Sequence, residues 1–177
     1  MAASTSAQDN LYREAAATYG AAMERVARAY EADPESRRDL LQDIHIGLWR
    51  SLEGFNGLCS LRTWVYRVAH NVAVSHVSRE RRHRSQVLVG LEEIELLPDA
   101  KEGEGASQRR DTLARLLGLI QALKPPDRQV MFAYLEGMDA AEIGEITGLS
   151  AVNVATKVHR IKRVLARRFE EGERDGK

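Results

Sequence analysis

Two glycines, Gly144 and Gly148, with Leu149-Ser150 directly after them, leave residues 139–160 few ways to fold. A glycine inside a helix lets a second helix come close, and a glycine just beyond it tolerates the positive φ of a tight turn. Ile143, Ile146, Leu149, Val154 and Val158 then fall where two helices would share an apolar seam. Ser150 is placed to cap the second helix with its hydroxyl. The expectation is helix, turn, helix. The outward positions of the second helix are Asn153, Thr156, Lys157, His159, Arg160 and Arg163. With Ser150 they supply donors suited to phosphates and base edges, on an element that fits the major groove of DNA. An ordinary helical hairpin with a basic outer face satisfies the same spacing, and Lys157 and Arg160 suit phosphate contacts alone as well as base reading.

The rest of the chain keeps a helical period. Leu11, Ala15, Tyr19, Ala22, Val26 and Tyr30 predict a helix over 10–31. Asp33-Pro34 then reads as an N-cap with proline in the first turn, opening a helix with Leu41, Ile44, Leu48 and Leu52 on one face. Gly54 and Gly57, around Phe55-Asn56, interrupt it. Ser60 caps a third helix whose stripe is Leu61, Trp64/Val65, Val68, Val72 and Val77, continuing into Arg79, Arg81 and Arg82. Trp49 and Trp64 read as core residues. Three such helices can share a core, giving a domain over 8–84. Residues 85–107 lose the period, with a turn at Pro98-Asp99 and glycines at 103 and 105, and read as a linker. Helical spacing returns with Leu113, Leu116, Leu117, Ile120 and Leu123, stops at Pro125-Pro126, and resumes with Val130, Met131 and Tyr134 up to Gly137. A second domain over 108–170 follows. The fold class expected is all-α: two small helical domains joined by a flexible acidic linker, the second containing the helix-turn-helix. A 6% aromatic content and an abundance of Ala, Leu, Glu and Arg agree with it.

Formal net charge is zero, yet the charges are segregated. Arg62, Arg67, Arg79, Arg81, Arg82 and Arg84 face only Glu80 between 55 and 84, and Lys157, Arg160, Lys162, Arg163, Arg167 and Arg168 face no acid between 155 and 168. Between these blocks lie Glu92, Glu93, Glu95, Asp99, Glu102 and Glu104. Basic blocks flanking an acidic strip suit nucleic acid better than the total suggests, although solvated helix faces give the same pattern. The single cysteine, Cys59, rules out an internal disulfide and a cysteine-rich zinc site, and reads as a buried thiol. His70, His76 and His83 are spaced six and seven apart, which is no standard ligand pair. No phosphate-binding glycine loop, zinc helix or nucleophile–base pairing is present, so neither an enzyme nor a cofactor is expected. No apolar run approaches the roughly 20 residues that span a bilayer, and residues 1–9 do not read as a signal peptide. A cytoplasmic protein without membrane insertion is expected, nucleoid-associated when bound to its partner.

Two further stretches carry a resemblance. The run 38–50, Arg-Asp-Leu-Leu-Gln-Asp-Ile-His-Ile-Gly-Leu-Trp-Arg, resembles the polymerase-binding helix of extracytoplasmic-function sigma factors. The run 60–71, Ser-Leu-Arg-Thr-Trp-Val-Tyr-Arg-Val-Ala-His-Asn, is similar to that family's promoter −10 helix. The helix-turn-helix, preceded by Pro125-Pro126-Asp127-Arg128-Gln129-Val130, resembles its −35-reading domain. The resemblance implies a sigma subunit that directs core RNA polymerase to promoters, with an anti-sigma factor as a further partner it leaves open. It assigns polymerase docking to Asp39, Gln42, Asp43, His45 and Trp49, duplex −35 reading to Ser150, Asn153, Thr156, Lys157, His159, Arg160 and Arg163, and the single-stranded −10 element to Phe55, Asn56, Arg62, Asn71, Arg79, Arg81 and Arg82. Phe55 is placed equally well to stack on a base and to close the core. By the same resemblance the linker acids Glu92, Glu93, Glu95 and Asp99 imitate phosphates in polymerase channels; a solvated spacer fits them equally. Ala155 stands where a basic residue is usual, His45 replaces a large aromatic, and Gly47 weakens its helix by ~1 kcal/mol relative to alanine. A helix-turn-helix regulator acting without polymerase, and a sigma-like interaction protein that no longer initiates transcription, are the competing readings; a simple regulator has no need of the Asp39–Trp49 helix or of an Arg-rich helix for single strands.

Overall fold

In the computed structural model the described residues are 2–87 and 106–174, with side chains described over 7–80 and 112–170. They form seven α-helices and one 3-10 turn, with no strand among them. Glu92, Glu93, Glu95 and Asp99 lie outside the described residues, as do the side chains of Arg81 and Arg82.

Helix α1 (Ala2–Tyr30) buries Ala15, Ala22, Met23, Val26, Ala27 and Tyr30, and it starts eight residues earlier than position 10. Helix α2 (Pro34–Ser51) opens as the Asp33-Pro34 pair implied: the Asp33 carboxylate accepts from the amides of Glu35 and Ser36 at 3.0 and 2.8 Å. These bonds hold the exposed Asp33 carboxyl below its ordinary pKa. The buried row of α2 is Leu40, Ile44 and Leu48, continued by Leu52 in the 3-10 turn (Leu52–Gly54); Leu41 is only half-buried. Each of the four buried side chains, Leu40, Ile44, Leu48 and Leu52, contributes about 1.5–3 kcal/mol by leaving water.

Helix α3 (Leu61–Val87) starts on Ser60, whose hydroxyl accepts from the Thr63 amide at 3.0 Å, and extends beyond Arg84. Its buried face differs from the apolar stripe. Val65, Tyr66, Ala69, His70, Ala73 and His76 are buried, while Trp64, Val68, Val72 and Val77 are half-buried. The helix is covered on more than one side, by α1, by α2 and by the C-terminal helices, so polar residues are enclosed along with apolar ones. Gly47 is where α2 meets it: a Cβ there would lie 2.8 Å from Val72 Cγ2. The glycine that costs helix propensity lets two helices touch.

The C-terminal helices are α4 (Ala106–Gln121), α5 (Pro125–Leu135), α6 (Ala140–Thr147) and α7 (Ala151–Arg174). Pro125 and Pro126 occupy the first turn of α5, where a missing amide proton is harmless. Val130, Met131, Phe132 and Ala133 of α5 join Ile143 and Ile146 of α6 and Val154, Val158, Ile161 and Leu165 of α7 in the core. Leu113 and Tyr134, assigned to apolar stripes by their spacing, are exposed. Arg128 is buried: its guanidinium donates to the carbonyls of Gln121 and Leu123 and lies 4.9 Å from the Tyr30 ring, so it ties the end of α4 to α1.

Candidate nucleic-acid interface

The helix-turn-helix is built from local bonds. Asp139 caps α6 by accepting from the amides of Ala141 and Glu142, and Glu142 returns a carboxylate to the Asp139 amide at 2.9 Å. Gly148 ends α6 at φ +77°, and Ser150 caps α7 through the Asn153 amide at 3.3 Å. Gly144 is the contact point of the turn, since a Cβ there would sit 2.6 Å from the Leu149 carbonyl oxygen. Val154 and Val158 turn α7 inward, leaving Asn153, Thr156, His159, Arg160 and Arg163 exposed and Lys157 half-buried. The Thr156 hydroxyl donates to its own helix at Val152 O, 3.0 Å. Asp127, in the first turn of α5, accepts from both Lys157 and Arg160, the latter at 3.1 Å, and spacing within α7 gave no sign of it.

On α2, Asp39, Gln42, Asp43, Ile46 and Arg50 form the outward row. His45 and Trp49 face α1 instead. The Tyr12 hydroxyl and His45 Nδ1 are 3.0 Å apart, Trp49 Nε1 donates to Asp9 at 2.9 Å, and Gln8 donates to Trp49 O at 2.7 Å. Partial burial lowers the His45 pKa. Trp49, read as a core residue, is 37% exposed because α1 covers only one side of it.

The residues proposed for single-stranded DNA divide into groups. Phe55 packs edge-on against Trp64 with centroids 5.4 Å apart, and Trp64 Nε1 donates to Ser51 Oγ at 3.0 Å, so both rings belong to the wall below the loop. Above it Asn56, Leu58, Cys59, Trp64 and Arg67 line a cavity of about 320 Å³. Cys59 is half-buried there, more open than a core thiol. Arg67 shares its face of α3 with Asn71, one turn on, and sequence reasoning overlooked it although the spacing was visible. Asn71 and Arg79 line a groove with Asp43, Ile46 and Arg50 of α2. Arg79 pairs with Asp43 at 3.2 Å, so a residue assigned to DNA and one assigned to polymerase meet across that groove.

Comparisons with known proteins decide the family. Residues 16–83 match the model for sigma-70 region 2, and residues 113–165 match that for sigma-70 region 4. The chain belongs to the extracytoplasmic-function sigma factors. It is similar to RNA polymerase sigma factor CnrH of Cupriavidus metallidurans, 27% identical over 93% of this chain and 90% of the relative. It is also similar to ECF RNA polymerase sigma factor SigX of Bacillus subtilis, 25% identical over 78% of this chain and 73% of the relative. Among solved structures, CnrH in complex with the cytosolic domain of CnrY has the same fold, with TM-score 0.67, 20% identity and coverage of 96% of this chain and 94% of that one. Sigma factor RpoE in complex with the anti-sigma factor NepR from Bartonella quintana superposes with TM-score 0.65 at 18% identity, over 87% of this chain and 93% of that one. The family makes this chain an RNA polymerase sigma subunit that acts in promoter recognition and transcription initiation.

In this sigma factor the region 2 helices and the region 4 helices pack on each other. Arg25 of α1 makes a two-pronged pair with Glu136, both contacts 2.6 Å, and the Tyr66 hydroxyl donates to the same carboxylate at 2.7 Å. Those bonds, the Arg25 pair first, hold the Glu136 carboxyl below its ordinary pKa and raise that of Arg25. Arg62 donates to Glu142 at 3.3 Å and to Glu136 O at 2.9 Å. Arg67 donates to Glu145 O at 2.7 Å, and Glu145 forms one side of the 320 Å³ cavity. His70 sits fully buried between Tyr30, Tyr66 and Phe132, and burial pushes its pKa down to about 3. Residues so far apart in sequence gave no signal of these contacts. Among the described residues no cluster of His, Cys, Asp and Glu is arranged to hold a metal, and no helix is long and apolar enough to cross a membrane.

Proposed function

We propose that this sigma factor divides promoter recognition among three surfaces. The exposed row Asp39, Gln42, Asp43 and Ile46 of α2 docks on core polymerase, with Trp49 at its edge. The α7 face, Ser150, Asn153, Thr156, Lys157, His159, Arg160 and Arg163, reads duplex DNA at the −35 element. The cavity at Asn56, Trp64 and Arg67, continued by Asn71, Arg79, Arg81 and Arg82, receives the separated −10 strand. Phe55 supports the cavity wall. The carrying observation is the capped helix-turn-helix, with Gly144 and Gly148 at its contact and turn, which leaves a basic face on α7 turned to solvent.

No covalent step belongs to the chain; polymerase adds nucleotides. Its domains run over 8–84 and 108–170 with 85–107 between them, and it works in the cytoplasm, at the nucleoid when bound to polymerase. An anti-sigma factor is a further partner, as the solved relatives held by CnrY and NepR suggest. Run-off transcription with core polymerase over a promoter library tests the assignment. Arg160→Ala is expected to impair use of upstream elements, and Asp43→Ala to weaken polymerase docking. Unchanged transcripts with both variants sink the residue roles.

A further inference from the structure

We propose that the leading turns of α7 recognise thymine by its C5-methyl group, with Val152 as the reader and Thr156 beside it. The inference rests on the reading of α7 as the −35 helix and adds the base chemistry that its N-terminal end selects.

Val152 stands apart from the polar residues assigned to this face. It is 75% exposed on the first turn, on the side opposite the buried Val154, Val158, Ile161 and Leu165. Val152, Thr156, His159 and Arg163 fall three and four residues apart, so they form one line along the outward face. The core has no use for Val152, and alanine there would suit the helix better. Its surroundings are neutral: residues 150–156 read Ser-Ala-Val-Asn-Val-Ala-Thr, without a charge. Exposed Ala155 widens the apolar area on one flank. The Thr156 hydroxyl spends its proton on Val152 O at 3.0 Å, which leaves its methyl as the group to meet a base. The first cations of the helix, Lys157 and Arg160, are tied to Asp127.

A recognition helix meets base edges with its N-terminal residues. In the major groove the apolar group that a base pair offers is the thymine methyl. A β-branched side chain on a helix keeps essentially one χ1 rotamer, so Val152 loses little freedom on contact. Arg163, further along the same line, supplies the attraction for phosphate that a methyl contact lacks.

The test uses the holoenzyme, this chain with core polymerase. Upstream elements are first selected from a duplex pool randomised in the −35 region. The selected element should contain a thymine whose preference Val152→Ala abolishes; that variant keeps its fold, since the side chain is exposed and alanine favours helix. Each thymine of either strand is then replaced by deoxyuridine, which lacks only the methyl, and holoenzyme binding is followed by fluorescence anisotropy. At the position read by Val152 we expect binding about fourfold weaker, the worth of one buried methyl. The same replacement should have no further effect on Val152→Ala, and this non-additivity separates a lost contact from a change in DNA shape. A deoxyuridine loss of equal size with and without Val152 overturns the role of that side chain. An element without thymine, or no loss at any thymine, overturns methyl reading; a change of selected sequence with Arg163→Ala would then leave α7 as the −35 helix. If no upstream element is selected, or no α7 variant alters it, the reading of α7 itself fails and the methyl contact goes with it.

Discussion

Helices α3 and α7 each present a basic face with cations tied to the chain's own acceptors, but on α7 nearby Asp127 holds Lys157 and Arg160 and leaves much of the face open to water. On α7, Asn153, His159 and Arg163 point into solvent from a helix whose other side is packed. On α3, Arg62 and Arg67 are bonded to the chain's own C-terminal helices. The α7 face follows from its own helical period and one turn. The state of α3 depends on residues 74 to 82 positions away, beyond the reach of any local pattern. A basic block in a sequence therefore locates a surface without saying whether that surface is available.

The sharpest way to break the contrast is to destroy the α7 side of it. Gly144→Ala would press a methyl group into the Leu149 backbone, which cannot rotate aside as a side chain could. We expect a loss of about 3 kcal/mol in stability by urea unfolding, with duplex binding lost. Next, Arg163→Ala should weaken binding to a selected −35 duplex by ~2 kcal/mol, whereas exposed Lys162→Ala should mainly reduce the salt dependence. Equal losses on selected and unrelated duplexes would show that Arg163 touches only phosphates.

Acid should move α3 toward the condition of α7. Buried His70 faces Tyr30 of α1, on whose ring Arg128 of α5 stacks, Phe132 of α5, the Glu136 charge at the end of α5, and Tyr66 from its own helix. Its pKa in this closed arrangement, with the C-terminal helices packed on α1 and α3, is about 3 against an ordinary 6.5. A depressed histidine disfavours the closed state once pH drops below the open-state value, and the penalty grows until about pH 3. Between pH 7.5 and 5.5 opening should become at most about tenfold more favourable, ~1.4 kcal/mol, if His70 regains its ordinary pKa on opening. Glu136 acts in the same direction below its own ordinary range, because protonation breaks the Arg25 pair. Scattering as a function of pH would show it, and His70→Leu should flatten the curve between pH 7.5 and 5.5. The smallest effect is expected where both helices are open to water: Arg79→Ala should cost under ~0.5 kcal/mol of stability, since its pair with Asp43 is exposed.

Much of the fold was legible because it is written at short range. The Asp33-Pro34 opening, the Ser60 and Ser150 caps, and the Gly144 and Gly148 positions each need only a few neighbouring residues, and each has the geometry expected. What failed had tertiary causes. The stripe of α3 missed His70 and His76 because the enclosed face takes in polar residues when three sides are covered. Gly47 read as a defect of α2 until Val72 was seen against it. Trp49 read as core because large aromatics usually are, but only α1 shields it. Asp127 holds two of the α7 cations from another helix. Arg67 was the one omission that spacing alone could have prevented.

The half-buried Cys59 has a practical use. It is the chain's single thiol and it stands on the wall shared by Asn56, Arg67 and Glu145. A maleimide dye would therefore attach at one address without any engineering, and its colour and brightness would report, in real time, when the neighbouring helix departs.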